Sequence, residues 1–145
     1  MSETNAYLVR PADWVVDRAM LSSVRREVFI VEQAVPEPLE WDEFDPVSRH
    51  ALAVSADGAA IGTARLLPDG HIGRMAVLAP WRSRGVGSAL LRHMIATATQ
   101  AGLAAAVVNA QVQALAFYRR FGFVAEGERF DDASIEHMAM RLALE

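Results

Sequence analysis

The segment from Val77 to Leu91, VLAPWRSRGVGSALL, is the part of this sequence with the clearest chemical potential. It places Arg82, Arg84, Gly85 and Gly87 directly before a predicted helix. Glycines allow a ligand close to the backbone because no Cβ intervenes. The first amides of a helix lack intrahelical partners and carry the positive end of the helix dipole. Together with two arginines, this arrangement predicts a phosphate-binding site.

Two other glycine-rich phosphate motifs do not fit this segment. A dinucleotide-binding fingerprint needs a third glycine where Leu90 stands and an acid about 20 residues later, where the chain has Ala104 to Val108. A Walker loop needs a lysine, and all 14 basic residues of this chain are arginine. A glycine turn with solvated arginines is the remaining alternative if the segment is taken alone.

A second block, QVQALAFYRRFGF, runs from Gln111 to Phe123. At this distance from the first block, it resembles the GNAT superfamily of N-acetyltransferases. Arg82-x-x-Gly85-x-Gly87 is similar to the pyrophosphate signature of that family, and its second motif is similar to Ala114-x-x-Phe117-Tyr118-x-x-x-Gly122-Phe123. Within this family, the sequence most closely resembles the ElaA-like branch. The resemblance rests on residues 25–33, the acidic loop that follows them, His50, Gly73-Arg74, Ala110-Gln111 and Glu136-His137-Met138.

The resemblance implies an α+β fold with a mixed, mainly antiparallel twisted sheet flanked by helices. It also implies a V-shaped split between strands 4 and 5 that holds acetyl-CoA, whose acetyl group passes directly to a primary amine of a small molecule or peptide. Backbone groups of Met75, Ala76 and Val77 would bond the pantetheine, and Gln111, where many members carry asparagine, would also contact the cofactor. The pyrophosphate would be held by amides of Arg82, Ser83, Arg84, Gly85, Val86, Gly87 and Ser88.

The resemblance also places Tyr118 at the position of the family's general acid, with a core aromatic bonded to backbone as the alternative. Many members carry a catalytic glutamate at about the place where this chain has Gly73, so the general base must lie elsewhere or be a chain of water molecules that leads to bulk solvent. Glu32 follows an apolar helical run, and partial burial there would raise its pKa toward neutrality. A polar residue that ends the helix is the equally open alternative for Glu32. His50 and His137 are weaker candidates for the base, since lone histidines in strands are usually structural.

The elements that must position these residues can be predicted from hydrophobic periodicity. A strand at residues 7–9 precedes a helix from Trp14, with an apolar stripe of Val15, Ala19, Leu21, Val24 and Val28. Strands at 51–55, 60–67 and 71–77 form a meander, and a helix over 85–101 ends at Gly102. The apolar run 103–108 predicts a strand covered on both faces. A helix over 112–121 and strands near Phe123 and over 137–144 follow.

An acidic loop lies between Pro36 and Pro46. It contains Trp41 and Phe44 among five acids, Glu37, Glu40, Asp42, Glu43 and Asp45. Exposed aromatics among acids favour a site that attracts a cationic amine acceptor, whereas a solvated surface loop is the simpler interpretation.

Length and composition set the outer bounds. The 145 residues predict one domain, residues 1–145. The absence of cysteine and lysine excludes thiolate and pyridoxal phosphate chemistry, and the four histidines, with His71 and His93 expected at the surface, show no metal-ligand spacing. A net charge of −4 argues against nucleic acid as a partner. No apolar run predicts a membrane span, and the polar start Met1 to Ala6 predicts a cytoplasmic protein.

Three functional classes remain open at this point. The first is an N-acetyltransferase, the second is an acetyl-CoA binding or sensing module without turnover, and the third is a partner-binding domain. A tyrosine at the position of the general acid favours the first, because a sensor needs no proton donor. Neither the acceptor amine nor the oligomeric state follows from the sequence, and a homodimer is compatible with it.

Overall fold

The computed structural model describes residues 6–144, so the first five residues of the polar start lie outside it. Seven strands form one sheet in the order β1-β2-β3-β4-β5-β7-β6. The strands are β1 (Tyr7–Ala12), β2 (Arg49–Ser55), β3 (Ala60–Leu66), β4 (His71–Val77), β5 (Ala105–Gln111), β6 (Val124–Asp132) and β7 (Ile135–Ala143). The α-helices are α1 (Arg18–Arg25), α2 (Glu37–Glu40), α3 (Val86–Gln100) and α4 (Leu115–Arg119). A π-helical segment, Arg26–Glu32, continues α1.

The sheet is antiparallel except where β4 meets β5. His71 and Ile72 pair in parallel with Val107 and Val108, and the pairing stops there although both strands continue. Beyond this point the two strands diverge and leave an opening in the sheet. The predicted fold class, a mixed and mainly antiparallel sheet split between strands 4 and 5, is therefore confirmed.

The core lies between α3 and the sheet. Leu90, Leu91 and Met94 of α3 are fully buried against the central strands, and each such side chain contributes about 2 kcal/mol by leaving water. Gly62 of β3 permits this close packing, because a Cβ there would lie 2.9 Å from Leu90 Cδ1 and 3.2 Å from the carbonyl oxygen of Ala76. The sequence pattern gave no sign of this requirement at Gly62.

The helix predicted from Trp14 begins instead at Arg18. Pro11 stays in the edge strand β1 opposite Ala51, where a missing N–H is tolerated. The Asp13 carboxylate then accepts a hydrogen bond from the amide of Val15 and closes a turn before the helix. Of the predicted apolar stripe, Val15 and Ala19 are exposed, whereas Leu21, Val24 and Val28 are buried as predicted.

Most later elements match the predictions within a few residues, including β3, β4 and α3. The prediction that residues 103–108 are covered on both faces is wrong. The strand runs over Ala105–Gln111, and burial alternates along it, with Ala106, Val108 and Ala110 buried and Asn109 exposed. The split beside β5 explains the uncovered face.

Candidate active site

A cavity of about 370 Å³ lies where β4 and β5 diverge. This volume is within the range of small-molecule sites, about 300–1,000 Å³. Side chains from both strands, from α4, from the π-helical segment and from the β6–β7 hairpin line it, among them Phe29, Gln33, Met75, Gln111, Tyr118 and His137. The split therefore brings residues that are distant in sequence to one enclosed space.

Tyr118 lines this cavity from α4. Its hydroxyl lies 3.8 Å from Sδ of Met75, a weak acceptor, and its ring meets Phe117 and Phe123 edge-on. The hydroxyl is thus not tied to backbone, as a purely structural tyrosine would be. Burial raises the pKa of Tyr118 to about 12, so the phenol keeps its proton at neutral pH.

The loop before α3 has the geometry of an anion site. Gly85 caps the helix with a φ of 84°, in the left-handed region that favours glycine, and Ser83 also has a positive φ of 64°. No side chain caps the helix, so its first amides, from Val86 onward, are directed out of the helix without intrahelical partners. Whether these groups hold a pyrophosphate remains a prediction.

Gly87, in the first turn of α3, borders a narrow space between β4 and α4. A Cβ at this position would lie 3.8 Å from Cζ of Phe117 and 3.9 Å from Cγ2 of Val77. These are ordinary contact distances, so the fold itself would accept a small side chain. We refer to this space between β4 and α4, beside the first turn of α3, as the passage.

Comparison with known proteins agrees with this geometry. A family model for the acetyltransferase (GNAT) domain matches residues 15–144. The chain belongs to the GNAT acetyltransferase family.

Individual relatives place the chain more closely within the family. An uncharacterized N-acetyltransferase, YjcF of Bacillus subtilis, is 36% identical over 121 residues, covering 81% of this chain and 86% of its own length. An acyl-CoA N-acyltransferase from Pseudomonas aeruginosa is 30% identical, with a TM-score of 0.84 over 94% of this chain and 99% of that one. ElaA of Escherichia coli has a TM-score of 0.83, 25% identity and the same coverage. The predicted resemblance to ElaA is therefore confirmed.

Glu32, the favoured candidate for the general base, is held by an arginine. Nη1 and Nη2 of Arg82 lie 2.9 and 2.7 Å from the two carboxylate oxygens of Glu32, and Nε of Arg82 donates to the carbonyl oxygen of Val77. The bonds from Arg82 lower the pKa of Glu32. The expected raised pKa is therefore wrong, while a catalytic role for Glu32 stays a prediction.

Gln111 forms a bridge at the mouth of the split. Its Nε2 donates to Oε1 of Gln33, 2.9 Å away, and its Oε1 accepts from Nε2 of Gln113 at 2.6 Å. Gln33 directly follows the π-helical segment, so this bridge joins that segment to β5. A contact between Gln111 and the cofactor remains a prediction and would require these amides to rearrange.

The acidic loop is not a free patch of negative charge. Arg25, 1% exposed, binds Glu40 and Asp45 at 2.8 Å each, and Trp41 packs over its guanidinium. Further arginines pair with the loop: Arg65 with Asp42 and Asp45, Arg74 with Glu40 and Asp42, and Arg26 with Glu37. Four of the five acids are thus neutralised by arginines that precede and follow the loop, which weakens the predicted attraction of a cationic acceptor.

The buried carboxylates of this cluster differ in their acidity. Burial raises the pKa of Glu40 against the opposing pull of Arg74 and Arg25. Burial would also raise the pKa of Asp45, but the bonds from Arg25 and Arg65 outweigh it and lower the value. The cluster holds the loop on the sheet and forms one wall of the cavity through Glu40, Arg65 and Arg74.

The histidines fall into distinct environments. His50 is buried, its Nε2 lies 2.8 Å from the carbonyl oxygen of Asp45, and burial lowers its pKa, all of which fit a structural role. His71 and His93 are partly exposed, and His71, whose side chain is 39% exposed, also lines the cavity. His137 also lines the cavity. No group of side chains in residues 6–144 has a metal-binding arrangement.

Proposed function

We propose that this chain transfers the acetyl group of acetyl-CoA directly to a primary amine of a small molecule or peptide. Family membership establishes acyl transfer as the class of reaction, and the nature of the acyl group and acceptor is the added step. The observation that carries the proposal is the position of Tyr118. A protonated phenol lines a cavity in the split, and its hydroxyl is bonded only to a thioether among the described residues.

The described residues fit an acyl-CoA. The edge of β4 that faces β5 has no strand partner beyond Ile72, so backbone groups of Met75, Ala76 and Val77 are open to the amides of a pantetheine arm. The passage beside Gly87 leads toward the first turn of α3. There the pyrophosphate would meet the loop amides of Arg82, Ser83, Arg84, Gly85, Val86, Gly87 and Ser88.

The chemistry requires two proton movements. The amine nitrogen attacks the thioester carbonyl carbon, a C–N bond forms, and the C–S bond breaks. An amide near Val77 is suited to polarise the carbonyl oxygen. The amine loses one proton to a base, and sulfur gains the phenolic proton of Tyr118.

The wider setting is part of the same proposal. Residues 1–145 act as one domain in the cytoplasm, on acetyl-CoA and an amine, without nucleic acid or membrane as a partner. Support comes from the net charge of −4 and from the described helices, none of which is long and apolar enough to cross a membrane. A homodimer is compatible with the proposal, which does not require one.

The decisive experiment is Tyr118→Phe, assayed by CoA thiol release with a panel of polyamines, amino acids, aminosugars and peptides. Acyl transfer should slow by about 100- to 10,000-fold, the usual contribution of a general acid. Acetyl-CoA affinity, measured by calorimetry, should change little because the hydroxyl matters mainly once charge develops on sulfur. The thermal midpoint should stay near that of the wild type, because no backbone bond is lost.

Two results would contradict the proposal. Near-normal turnover by Tyr118→Phe would remove Tyr118 as the proton donor. Acetyl-CoA binding by the wild type without turnover on any amine would favour the sensing module instead.

A further inference from the structure

The protonation of His137 can be assigned from its geometry. Nδ1 of His137 lies 2.7 Å from the backbone carbonyl oxygen of Ile135. A carbonyl oxygen only accepts hydrogen bonds, so Nδ1 must carry the hydrogen. In the neutral ring this leaves the lone pair on Nε2, which is the basic atom of the side chain.

The basic atom is also accessible. His137 is 9% exposed and lines the cavity of the split. Nε2 has no hydrogen-bond partner among residues 6–144, yet it is not one of the polar atoms sealed from solvent, of which the described residues contain one, Nε of Arg65. Nε2 is therefore a solvent-accessible atom without a partner in the described part of the chain, on a residue that lines the cavity.

Strand register places His137 beside the open part of the split. His137 of β7 is the direct partner of Gln111 of β5, so the two side chains share a face. Gln111 lies three residues beyond Val108, the last residue of β5 that pairs with β4. Met75, on the opposite side of the split, contacts the Tyr118 hydroxyl. His137 and Tyr118 therefore line one cavity beyond the paired part of the two strands.

The other cavity-lining histidine, His71, is at a different level. It precedes Met75 by four residues of β4, one of which is the extra residue of a bulge near Arg74, so the two are about 10 Å apart along the strand. It lies at the closed end of the split, where β4 and β5 still pair, and its Nδ1 bonds to Asp69 at 3.0 Å. His71 is therefore a matched comparison, a histidine of the same cavity away from the reaction centre.

We propose that Nε2 of His137 is the general base that takes the proton from the acceptor amine, an inference that rests on the proposed acyl transfer. As the C–N bond forms and the C–S bond breaks, the amine proton moves to Nε2 and the phenolic proton of Tyr118 moves to sulfur. Return of the proton from His137 to the Tyr118 phenolate through water restores both residues. His137 thus supplies the base that Gly73 cannot.

The charges around His137 leave it free for this role. Across the cavity, Glu40, Arg65 and Arg74 are engaged with one another and with the acidic loop. From α4, Tyr118 lines the cavity and Arg119 does not, and β5 contributes the neutral Gln111. The β6–β7 hairpin adds the charged residues Glu126, Glu128, Arg129, Asp131, Asp132, Glu136 and Arg141, of which Asp132 also lines the cavity.

The rival bases are less suited to the task. Glu32 is bound by both terminal nitrogens of Arg82, which stabilises the carboxylate and makes it a weaker base. His50 is 3% exposed and does not line the cavity, so neither of its ring nitrogens can reach an acceptor there. Asp132 is the cavity-lining carboxylate for which the described part of the chain provides no ion-pair partner, so it is tested alongside His137.

The experiment is the pH dependence of acyl transfer by His137→Asn. Asparagine can still donate to the Ile135 carbonyl oxygen, but it has no basic lone pair. The wild type should lose activity in acid, because a base that already carries a proton cannot take one from the amine. His137→Asn should be slowed by about 100-fold or more and should lack this decline, whereas His71→Asn and Asp132→Asn should keep it.

A second variant separates base catalysis from structure. His137→Ala leaves space beside Phe130, on which the ring stacks, and added imidazole should restore part of its activity. Imidazole should not rescue Tyr118→Phe. A base supplied from solution can replace a proton acceptor but cannot repair a misfolded hairpin, so rescue distinguishes the two roles.

The inference is overturned if His137→Asn retains the wild-type rate and pH dependence. It is equally overturned if Glu32→Gln or Asp132→Asn alone removes the acid decline, or if imidazole fails to rescue folded His137→Ala. Failure of the proposed function gives a different result, since the wild type itself would then acetylate no amine, and the role of His137 would fall with it.

Discussion

Two groups of arginines in this protein bind carboxylates in opposite settings. Arg25 joins the acidic loop to α1, and Arg65 and Arg74 join it to the sheet; Arg25 is 1% exposed. Arg82 binds Glu32 beside the amino terminus of α3, where the two side chains are 42% and 32% exposed. The buried group is enclosed by protein on both sides, whereas the second pair faces solvent.

The two settings suit the arginines to different roles: the buried arginines stabilise the fold, whereas the exposed arginine can exchange its carboxylate partner for a ligand. Buried ions cannot recover their hydration if a partner is lost, so the first group is bound to its partners as long as the protein is folded. An exposed pair contributes little net free energy, and its arginine can turn from a carboxylate to a phosphate at small cost. The same residue type can therefore hold a loop in one place and serve a ligand in another.

The largest effect should come from breaking the buried group. Arg25→Met retains much of the side-chain volume but leaves Glu40 and Asp45 without their shared partner. The free energy of unfolding should fall by about 3–5 kcal/mol, because uncompensated charges stay buried. Urea denaturation monitored by the fluorescence of Trp14 and Trp41, which pack on Arg25, measures the change.

The matched control is the next residue in the chain. Arg26 pairs with Glu37 on the surface, with both side chains about half exposed. Arg26→Met should lower the free energy of unfolding by less than about 1 kcal/mol. Similar losses for the two variants would contradict the assignment of Arg25 to a buried structural role.

A second, smaller effect should appear in binding when Arg82 is removed. Arg82→Ala should weaken acetyl-CoA by about 10- to 100-fold, the value of a charged hydrogen bond. The free energy of unfolding should change by less than about 1 kcal/mol. Calorimetry against acetyl-CoA and a phosphate-free pantetheine analogue tests this, because the analogue should bind both proteins alike.

Equal losses for acetyl-CoA and the analogue would place Arg82 away from the phosphates. Arg84, which packs over Trp81, provides the comparison on the same loop. Its replacement by alanine should also affect acetyl-CoA more than the analogue.

These contrasts show which parts of the molecule the sequence could reveal. The succession of strands and helices along the chain and the start of α3 follow from local signals, namely hydrophobic periodicity and turn glycines. The split is implied only by the family resemblance that the two short motifs carry. The ion pairs join residues 15 to 50 positions apart, such as Arg25 with Glu40 and Arg82 with Glu32. Periodicity carries no information on such partners, and for this reason the acidic loop and Glu32 were both interpreted as less constrained than they are.

His137 is a second case in which the sequence could not reveal the partners of a residue, this time in the candidate active site. Its sequence position identifies a lone histidine in a strand, which is usually structural. Its pairing with Gln111, its bond to Ile135 and its place in the cavity arise only when β5 and β7 are adjacent. One signal was available beforehand, because Gly73 in place of the family's glutamate already required a base from another element.

The variant Gly87→Ala tests the proposed cofactor site beside the loop before α3 without changing any charge. Gly87→Ala should raise the free energy of unfolding by up to about 1 kcal/mol, since alanine favours helix and its Cβ meets only ordinary contacts. Acetyl-CoA should bind at least about tenfold more weakly, because the methyl group narrows the passage between β4 and α4. Thermal unfolding and calorimetry on one preparation measure both effects, and unchanged affinity would move the cofactor out of this passage.

The smallest effect concerns the Glu32–Arg82 pair and its pH dependence. The bonds from Arg82 lower the pKa of Glu32 below its ordinary value of 4.5, so the folded protein favours the charged form more than the unfolded chain does. This contribution is present above pH 4.5 and is lost as pH falls through the folded pKa. Glu32→Gln should therefore be less stable than the wild type by under about 1 kcal/mol at pH 7, with the gap closing below about pH 4.

The salt dependence of the free energy of unfolding distinguishes the exposed Glu32–Arg82 pair from the buried ion pairs of Arg25. The exposed pair is screened by ions, so the gap between wild type and Glu32→Gln at pH 7 should shrink in about 1 M sodium chloride. The loss caused by Arg25→Met should persist there, because ions do not reach its buried partners. Urea denaturation at low and high salt measures both differences. A gap for Glu32→Gln that stayed constant in acid and in salt would mean that Glu32 stabilises the fold by packing, and that Arg82 is not held there by charge.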